Sequence, residues 1–341
     1  MINEKLIAQI FTTLKIELPQ NIDIKSLIAS LNVNYKFNNT FTSNDYSSLI
    51  EIREYQLGFT NRLMHSYSKP IQELEIFSEI CKSIGNNVCL RLNENNKNTY
   101  KEKALRRLHQ KSTLITSEII YLIKGGYASA SLSRWRTLFE TSIISLFLSV
   151  NNEITAERYI DYEIIDTKKE LNTYIKNVDF LGFDKISSDE VNKIETKYNI
   201  ILKKYGKDFK GNNAWASDIL NKKVPNLHDF MDFVDSQYMK PYYKFSSNYV
   251  HSGAKSLMYN LGYINGSLND NTISSPSNIG FTDSAQLCAL SYFNSTLAFL
   301  SVSNNKDDLL LILELYSKIN QIGTSFMNCE EQLIKSEINQ K

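Results

Sequence analysis

Proline and glycine are scarce in this chain of 341 residues, which has 5 and 12 of them respectively. Sheet proteins, both all-β and α/β, place these residues at their many turns, so the scarcity favours long helices over either class. Apolar residues make up 42% of the chain and charged residues 22%. These fractions are typical of a globular protein with a sizeable core and exclude a disordered chain.

An excess of charge of one sign is also lacking, because 38 basic residues face 37 acidic ones. This balance excludes a protein that coats nucleic acid or a membrane surface through its overall charge, so such a role needs a local patch. The four cysteines form no C-x-x-C pair and indicate no disulfide framework. We therefore expect reduced thiols, no disulfide partner and a cytoplasmic location.

No long, purely apolar run is present either. The N-terminal amphipathic segment carries Glu4 and Lys5 and lacks the apolar region of a signal peptide. The longest charge-free run, residues 284–305, contains Gln286, Asn294 and repeated Ser and Thr. This composition predicts a buried core helix and no membrane partner.

Patterns for metal and cofactor binding are missing. The four histidines lie far apart, and none stands in an H-E-x-x-H or Cys/His cluster. Gly206 and Gly211 have the spacing of a phosphate-binding loop, but Asn212 and Asn213 stand where that loop needs Lys and Ser/Thr. The sequence therefore predicts neither a metal nor a cofactor.

Helical periodicity extends over most of the chain. We predict an all-α helical bundle around a central apolar helix at about 127–150, with a smaller N-terminal helical part. The Asn-rich stretch 85–98 is interpreted as a loop, which places a domain boundary between an N-terminal helical region, 1–95, and a main helical domain, 96–341. The other predicted helices lie at about 2–17, 22–32, 45–68, 71–84, 99–124, 154–178, 187–205, 214–222, 226–238, 241–259, 282–303 and 306–337.

The central helix carries the first candidate site residues. From Leu138 onward its sequence is apolar on all sides, which indicates that protein surrounds it, and Glu140 lies in this stretch. A buried carboxylate needs a partner, and Arg136 is one turn away on the same face. We therefore predict an inward-facing Arg136–Glu140 pair. The pair either fixes helix packing or forms part of a site.

A second polar pair lies on the predicted helix 241–259. Ser247 and His251 share a stripe with apolar residues, so His251 is expected to point inward. A histidine beside a carboxylate and an arginine can perform general acid–base chemistry, while the arginine stabilises an anion. The other interpretation is a core histidine whose ring is hydrogen-bonded within the protein and has no catalytic role. The candidate catalytic residues are thus Arg136, Glu140, Ser247 and His251.

Two further charged patterns are weaker candidates. Arg158, Tyr162 and Asp166 lie along one side of the next helix, with Asp161 beside them, and either flank the same pocket or form a solvated face. The basic run between 101 and 111 is interpreted as surface, given the acidic balance elsewhere.

The motifs R-x-L-F-E (136–140) and Y-x-x-x-S-x-x-x-H (243–251) resemble those of an uncharacterised bacterial all-helical family, over about residues 100–300. That family is broadly similar to the helical HEPN proteins of bacterial defence and toxin systems. The resemblance implies metal-independent RNA cleavage by an Arg–His pair. The sequence departs from the HEPN signature, in which an arginine precedes the histidine by a few residues, because Lys244 stands seven positions before His251.

Three hypotheses follow from the residues and the resemblance together. The first is a defence- or toxin-type protein with RNA as its partner, in which His251 is the acid or base and Arg136 binds phosphate. The second is a non-catalytic binding or assembly module, and the 20 Tyr and 17 Phe would suit a homodimer interface. The third is a sensor for a nucleotide or another small molecule.

Overall fold

A computed structural model of the chain describes residues 26, 43–94, 98–251, 255, 276–303 and 305–338. The chain divides into two compact units, Met1–Phe59 and Thr60–Lys341, whereas the sequence analysis placed a boundary at 95/96. The predicted helices at 2–17 and 22–32 lie outside the described residues, apart from Ser26.

The described residues form helices and no strand, which confirms the all-α prediction. Three short 3-10 helices occur between residues 207 and 239. No helix among these residues has the length and apolar character needed to span a bilayer. The α-helices are α1 (Ser43–Ser66), α2 (Ser68–Glu94), α3 (Tyr100–Lys124), α4 (Ala128–Val150), α5 (Glu153–Asp161), α6 (Glu163–Leu181), α7 (Ser188–Tyr205), α8 (Ser217–Leu220), α9 (Leu227–Phe233), α10 (Lys240–Val250), α11 (Thr282–Leu300) and α12 (Lys306–Ile338).

The predicted loop at 85–98 is wrong over most of its length, because α2 continues to Glu94. Its asparagines have low helix propensity, but Gly85, Val88 and Leu92 are buried on the inner face of this helix. Packing of that face against α3, α11 and α12 outweighs the local propensity.

Two later helices also differ from the prediction. The single helix expected at 154–178 is divided at Tyr162 into α5 and α6. The helix expected at 241–259 ends at Val250, and His251 has an extended backbone. Most of the remaining predicted stretch lies outside the described residues.

Helix α4 lies at the centre of the larger unit and packs against α3, α9, α10 and α11. None of its residues from 131 to 149 is exposed. The indole nitrogen of Trp135, which is fully buried, donates to the carbonyl oxygen of Leu287 at 3.0 Å and to the hydroxyl of Ser291 at 2.9 Å. Both partners are on α11, the helix predicted from the charge-free run at 284–305.

Paired serines join α11 to its neighbours. Ser112 of α3 donates to Ser295 at 2.9 Å, and Ser131 of α4 donates to Ser284 at 2.9 Å. All four are buried. Buried hydroxyls need partners, and these small side chains supply them without separating the helix backbones. Apolar and polar packing therefore both depend on α11.

The N-terminus of α11 is capped by a residue of α12. The Oε1 atom of Glu330 accepts hydrogen bonds from the backbone N–H groups of Gly280 at 2.8 Å, Phe281, and Thr282 at 3.1 Å. The first N–H groups of a helix have no partner within the helix, and a negative charge is favourable there. Glu330 thereby connects the last helix to the start of the core helix.

We expect Glu330→Ala to lower the free energy of unfolding by about 1–3 kcal/mol, because three backbone donors lose a charged acceptor. Chemical denaturation at pH 7 measures the change. Glu331→Ala is the matched control, since Glu331 is exposed and its ion pair is with Lys335 at 3.6 Å. Equal stability of the two variants would contradict this account of the cap.

His109 of α3 is a buried histidine of the core, 4% exposed. Its Nε2 lies 3.2 Å from the hydroxyl of Thr296, and its ring packs 5.5 Å from Tyr292 and 5.3 Å from Phe299. A Cβ at Gly85 would lie 2.1 Å from this ring, so glycine in α2 makes the close approach possible. Burial lowers the pKa of His109 to about 4, opposed by a backbone hydrogen bond with Cys81.

The lowered pKa of His109 predicts that the protein loses stability as the pH falls. The unfolded chain binds a proton at His109 near pH 6.5 and the folded chain only near pH 4, so stability from this residue is complete above pH 6.5 and falls between those values. The expected loss is about 3 kcal/mol. Between these pH values the free energy of unfolding should vary less with pH for His109→Gln than for the unmodified protein. The exposed control His65→Gln should show the same pH dependence as the unmodified protein. Parallel pH profiles for all three proteins would refute it.

Candidate functional site

One stripe of α4 faces an open cleft. Four residues at helical spacing are half-buried, whereas the positions next to them are mostly buried. They are Ser133, Arg136, Thr137 and Glu140. These residues line a cleft of about 710 Å³. The end of α10 forms its other wall through residues 249–251. The cleft has the size of a small-molecule site.

Arg136 is bound on three sides within this wall. Its Nε donates to Glu140 Oε1 at 3.2 Å, one terminal nitrogen donates to the hydroxyl of Ser247, and the other donates to the hydroxyl of Tyr243 at 2.5 Å. These contacts use three of the five N–H donors of a guanidinium. Arg136 therefore joins α4 to α10, and its other two N–H groups have no hydrogen bond to any residue that the structure describes.

Tyr243 is the centre of this network. Its hydroxyl donates to Glu140 Oε1 at 2.6 Å while it accepts from Arg136, and its ring lies 4.1 Å from the guanidinium carbon. Burial raises the pKa of Tyr243 to about 12, and Glu140 adds to this effect while Arg136 opposes it. The phenol thus stays protonated at neutral pH and acts as a hydrogen-bond donor.

The prediction that Glu140 is buried is wrong. Its side chain is 42% exposed, against 20% for Arg136. The apolar pattern identifies α4 as surrounded on most sides, but α10 covers only part of the helix and leaves the Glu140 stripe facing the cleft. The pairing itself is confirmed at the predicted spacing of four residues.

The prediction that His251 points into the core is also wrong. Because α10 ends at Val250, His251 leaves the helical stripe and is exposed. Its backbone N–H donates to the carbonyl oxygen of Ser247 at 3.1 Å, and the residue lines the cleft together with Arg136 and Glu140. No hydrogen bond of its imidazole ring occurs among the described residues.

The structure brings Arg136, Glu140 and Ser247 into direct contact and places His251 at the rim of the same cleft. The sequence motif includes Tyr243, but the residue is not among the predicted site residues. Its position four residues before Ser247, on the same face of the helix, indicates that it could have been included. The cleft also holds Arg134, which pairs with Glu118 of α3.

Arg158 and its neighbours on α5 do not line this cleft. Arg158 donates to the carbonyl oxygens of Trp215 at 3.0 Å and Ala214 at 3.1 Å, and pairs with Asp218 at 3.0 Å. Tyr162 donates to the carbonyl oxygen of Gly211 at 2.7 Å. These contacts hold the segment 211–218 against α5, which is a structural role separate from the candidate site.

The acidic residues near Arg158 and the start of the basic run at 101–111 also have partners nearby in the structure. Asp161 accepts from Lys204 at 2.7 Å and from Tyr205 at 2.8 Å, and Asp166 pairs with Lys169 at 3.2 Å. In the basic run, Lys101 donates to the carbonyl oxygens of residues 149 and 151 at 2.6 and 2.9 Å, so it caps the C-terminus of α4.

Residues 102–270 match the model of a family described as a family of unknown function (DUF5677). The matched segment begins in α3 and includes α4 and α10, so it contains every residue of the candidate site. The match is consistent with an uncharacterised domain over residues 102–270. No curated protein and no solved structure matches the chain.

We expect Tyr243→Phe to lower the free energy of unfolding by about 1–2 kcal/mol while the helical content is retained. The substitution keeps the ring beside Arg136 but removes the hydroxyl that connects it to Glu140. Denaturant unfolding followed by circular dichroism tests this. Tyr121→Phe, at a phenol that is 76% exposed, is the control and should leave stability unchanged. A Tyr243→Phe variant as stable as that control would contradict the proposed network.

Proposed function

We propose that this chain is a helical protein of bacterial defence or toxin type, acting in the cytoplasm, that binds RNA in the α4–α10 cleft and cleaves it without a metal. The observation that carries the proposal is the placement of Arg136 and the free His251 on one open cleft. An arginine that binds phosphate and a histidine that moves a proton are the two groups that this reaction needs.

The residues have separate roles in this reaction. His251 removes the proton from a ribose 2′-hydroxyl, whose oxygen then attacks the adjacent phosphorus. The bond from phosphorus to the 5′-oxygen breaks, and that oxygen takes a proton from solvent, which leaves a 2′,3′-cyclic phosphate and a 5′-hydroxyl. The unused N–H groups of Arg136 stabilise the charge on the phosphoryl oxygens during the attack.

Three side chains hold Arg136 ready for this role. Glu140, Tyr243 and Ser247 fix the guanidinium on separate sides, so it needs little reorganisation when an anion arrives. Ser247 also anchors the backbone of His251 through its carbonyl oxygen. Glu140 and Ser247 are therefore positioning residues, whereas Arg136 and His251 contact the substrate.

A second candidate function is a non-catalytic module for assembly, including a homodimer, or for sensing a nucleotide. The observation that favours it is the closed hydrogen-bonding network around Arg136, whose partners lie within the chain itself. In such a module the network locks α4 to α10, and the cleft binds a partner or ligand without chemistry.

The test uses the full chain with a labelled single-stranded RNA, in buffer containing EDTA. We expect cleavage to 2′,3′-cyclic phosphate products, and His251→Ala should reduce its rate at least about 100-fold, the usual contribution of general acid–base catalysis. Arg136→Lys should reduce it similarly, because lysine lacks the planar fork. His65→Ala, at an exposed histidine of α1, is the control.

The outcomes separate the two candidates. Loss of cleavage with unchanged melting temperature in His251→Ala supports the ribonuclease. Absence of cleavage by the unmodified protein, with nucleotide binding that depends on Arg136, supports the sensor. Absence of both, with a dimer that dissociates in the Arg136→Lys variant, supports the assembly module.

A further inference from the structure

A second cleft lies away from the candidate site, between the segment 238–242, α11 and α12, with a volume of about 300 Å³. Three tyrosines line it, namely Tyr238, Tyr242 and Tyr316. Its apolar lining comes from Met239, Leu287, Leu290 and Ile319. A cleft of this volume is suited to a small molecule.

The cleft contains one carboxylate, Asp283, in the first turn of α11. Among the described residues no lysine, arginine or histidine pairs with it, whereas most other half-buried acids here have a cationic partner. Burial raises the pKa of Asp283, and its negative charge also contributes to the raised pKa of Tyr249. An uncompensated, half-buried charge of this kind is stabilised by a cation from outside.

The aromatic residues provide the second component of a cation site. Tyr238 and Tyr316 are close enough that the phenol of Tyr316 contributes, after burial, to a raised pKa of Tyr238. Tyr316 is fixed by Phe293, with ring centres 5.4 Å apart. Tyrosine rings attract ammonium groups through the negative faces of their π systems, and several rings around one carboxylate suit an alkylated ammonium.

The amide rim of the cleft is fixed in position. Gln286 donates to Asn320 at 3.1 Å, and it packs so tightly against Gly323 that a Cβ there would lie 2.6 Å from its side-chain atoms. These contacts join α11, which carries Asp283, to α12, which carries Tyr316, at the edge of the cleft.

We propose that this cleft binds a small organic ammonium ion, with Asp283 neutralising the charge and the three tyrosines and the apolar lining contacting its alkyl groups. The inference is independent of the activity proposed for the α4–α10 cleft. The ligand class follows from the combination of one unpaired carboxylate, aromatic walls and apolar surface. An anion or a purely polar ligand fits none of these features.

The experiment measures binding of choline to the full chain by isothermal titration, and compares it with 3,3-dimethylbutan-1-ol, which has the same shape without the charge. We expect saturable choline binding and affinity for the neutral alcohol at least about tenfold weaker, given the strength of cation–π contacts. Asp283→Asn should weaken choline binding by about tenfold or more, and Tyr316→Leu by several-fold. Asp307→Asn, an exposed acid near the start of α12, is the matched control.

Folding is checked by the melting temperature of each variant. Asp283→Asn should keep a cooperative transition at a melting temperature close to that of the unmodified protein, because asparagine preserves the shape of the side chain and can still accept a hydrogen bond in the first turn of α11. Equal affinity for choline and the neutral alcohol would overturn the proposal, as would unchanged choline binding in a folded Asp283→Asn variant. Absence of binding at millimolar choline would overturn it as well.

Discussion

The larger unit depends on the burial of α4 on nearly every side. Its apolar residues need neighbours around the whole helix, and α3, α9, α10 and α11 supply them. Burial of one large apolar side chain contributes about 1.5–3 kcal/mol, so the fully buried Trp135, Ile143, Phe147 and Leu148 together make a large contribution to the core. These four helices cover α4, whereas α12 packs on α11 and α2.

The polar groups of the core are arranged to permit that burial. Serines on α3, α4 and α11 bond to one another across the helix contacts, and the indole of Trp135 bonds to α11. Glu330 of α12 accepts hydrogen bonds from the backbone N–H groups at the N-terminus of α11. Each of these groups would oppose folding if it were buried alone. The same requirement places Arg136, whose fork is satisfied only once α10 lies beside α4.

The two clefts differ in how charge is compensated. In the α4–α10 cleft Arg134, Arg136 and Glu140 have partners, and the imidazole of His251 makes no hydrogen bond within the part of the chain that the structure describes. In the cleft of α11 and α12 the carboxylate of Asp283 has no cationic partner among the described residues, so a ligand can supply the compensation. This difference is why we propose an anionic ligand for the first cleft and a cationic ligand for the second.

Composition and helical periodicity predicted the all-α class, an apolar helix at about 127–150, a core helix beginning at about residue 282 and the spacing of the Arg136–Glu140 pair. These features arise from local spacing and from the fraction of apolar surface, which a sequence displays directly. Only the tertiary structure decided that α2 runs through its asparagines, that Glu140 is half exposed, and that Tyr243 joins the pair to Ser247. It also decided that α10 ends before His251. Each of these outcomes depends on which neighbouring helix covers a given face, and that is set by contacts between residues far apart in the chain.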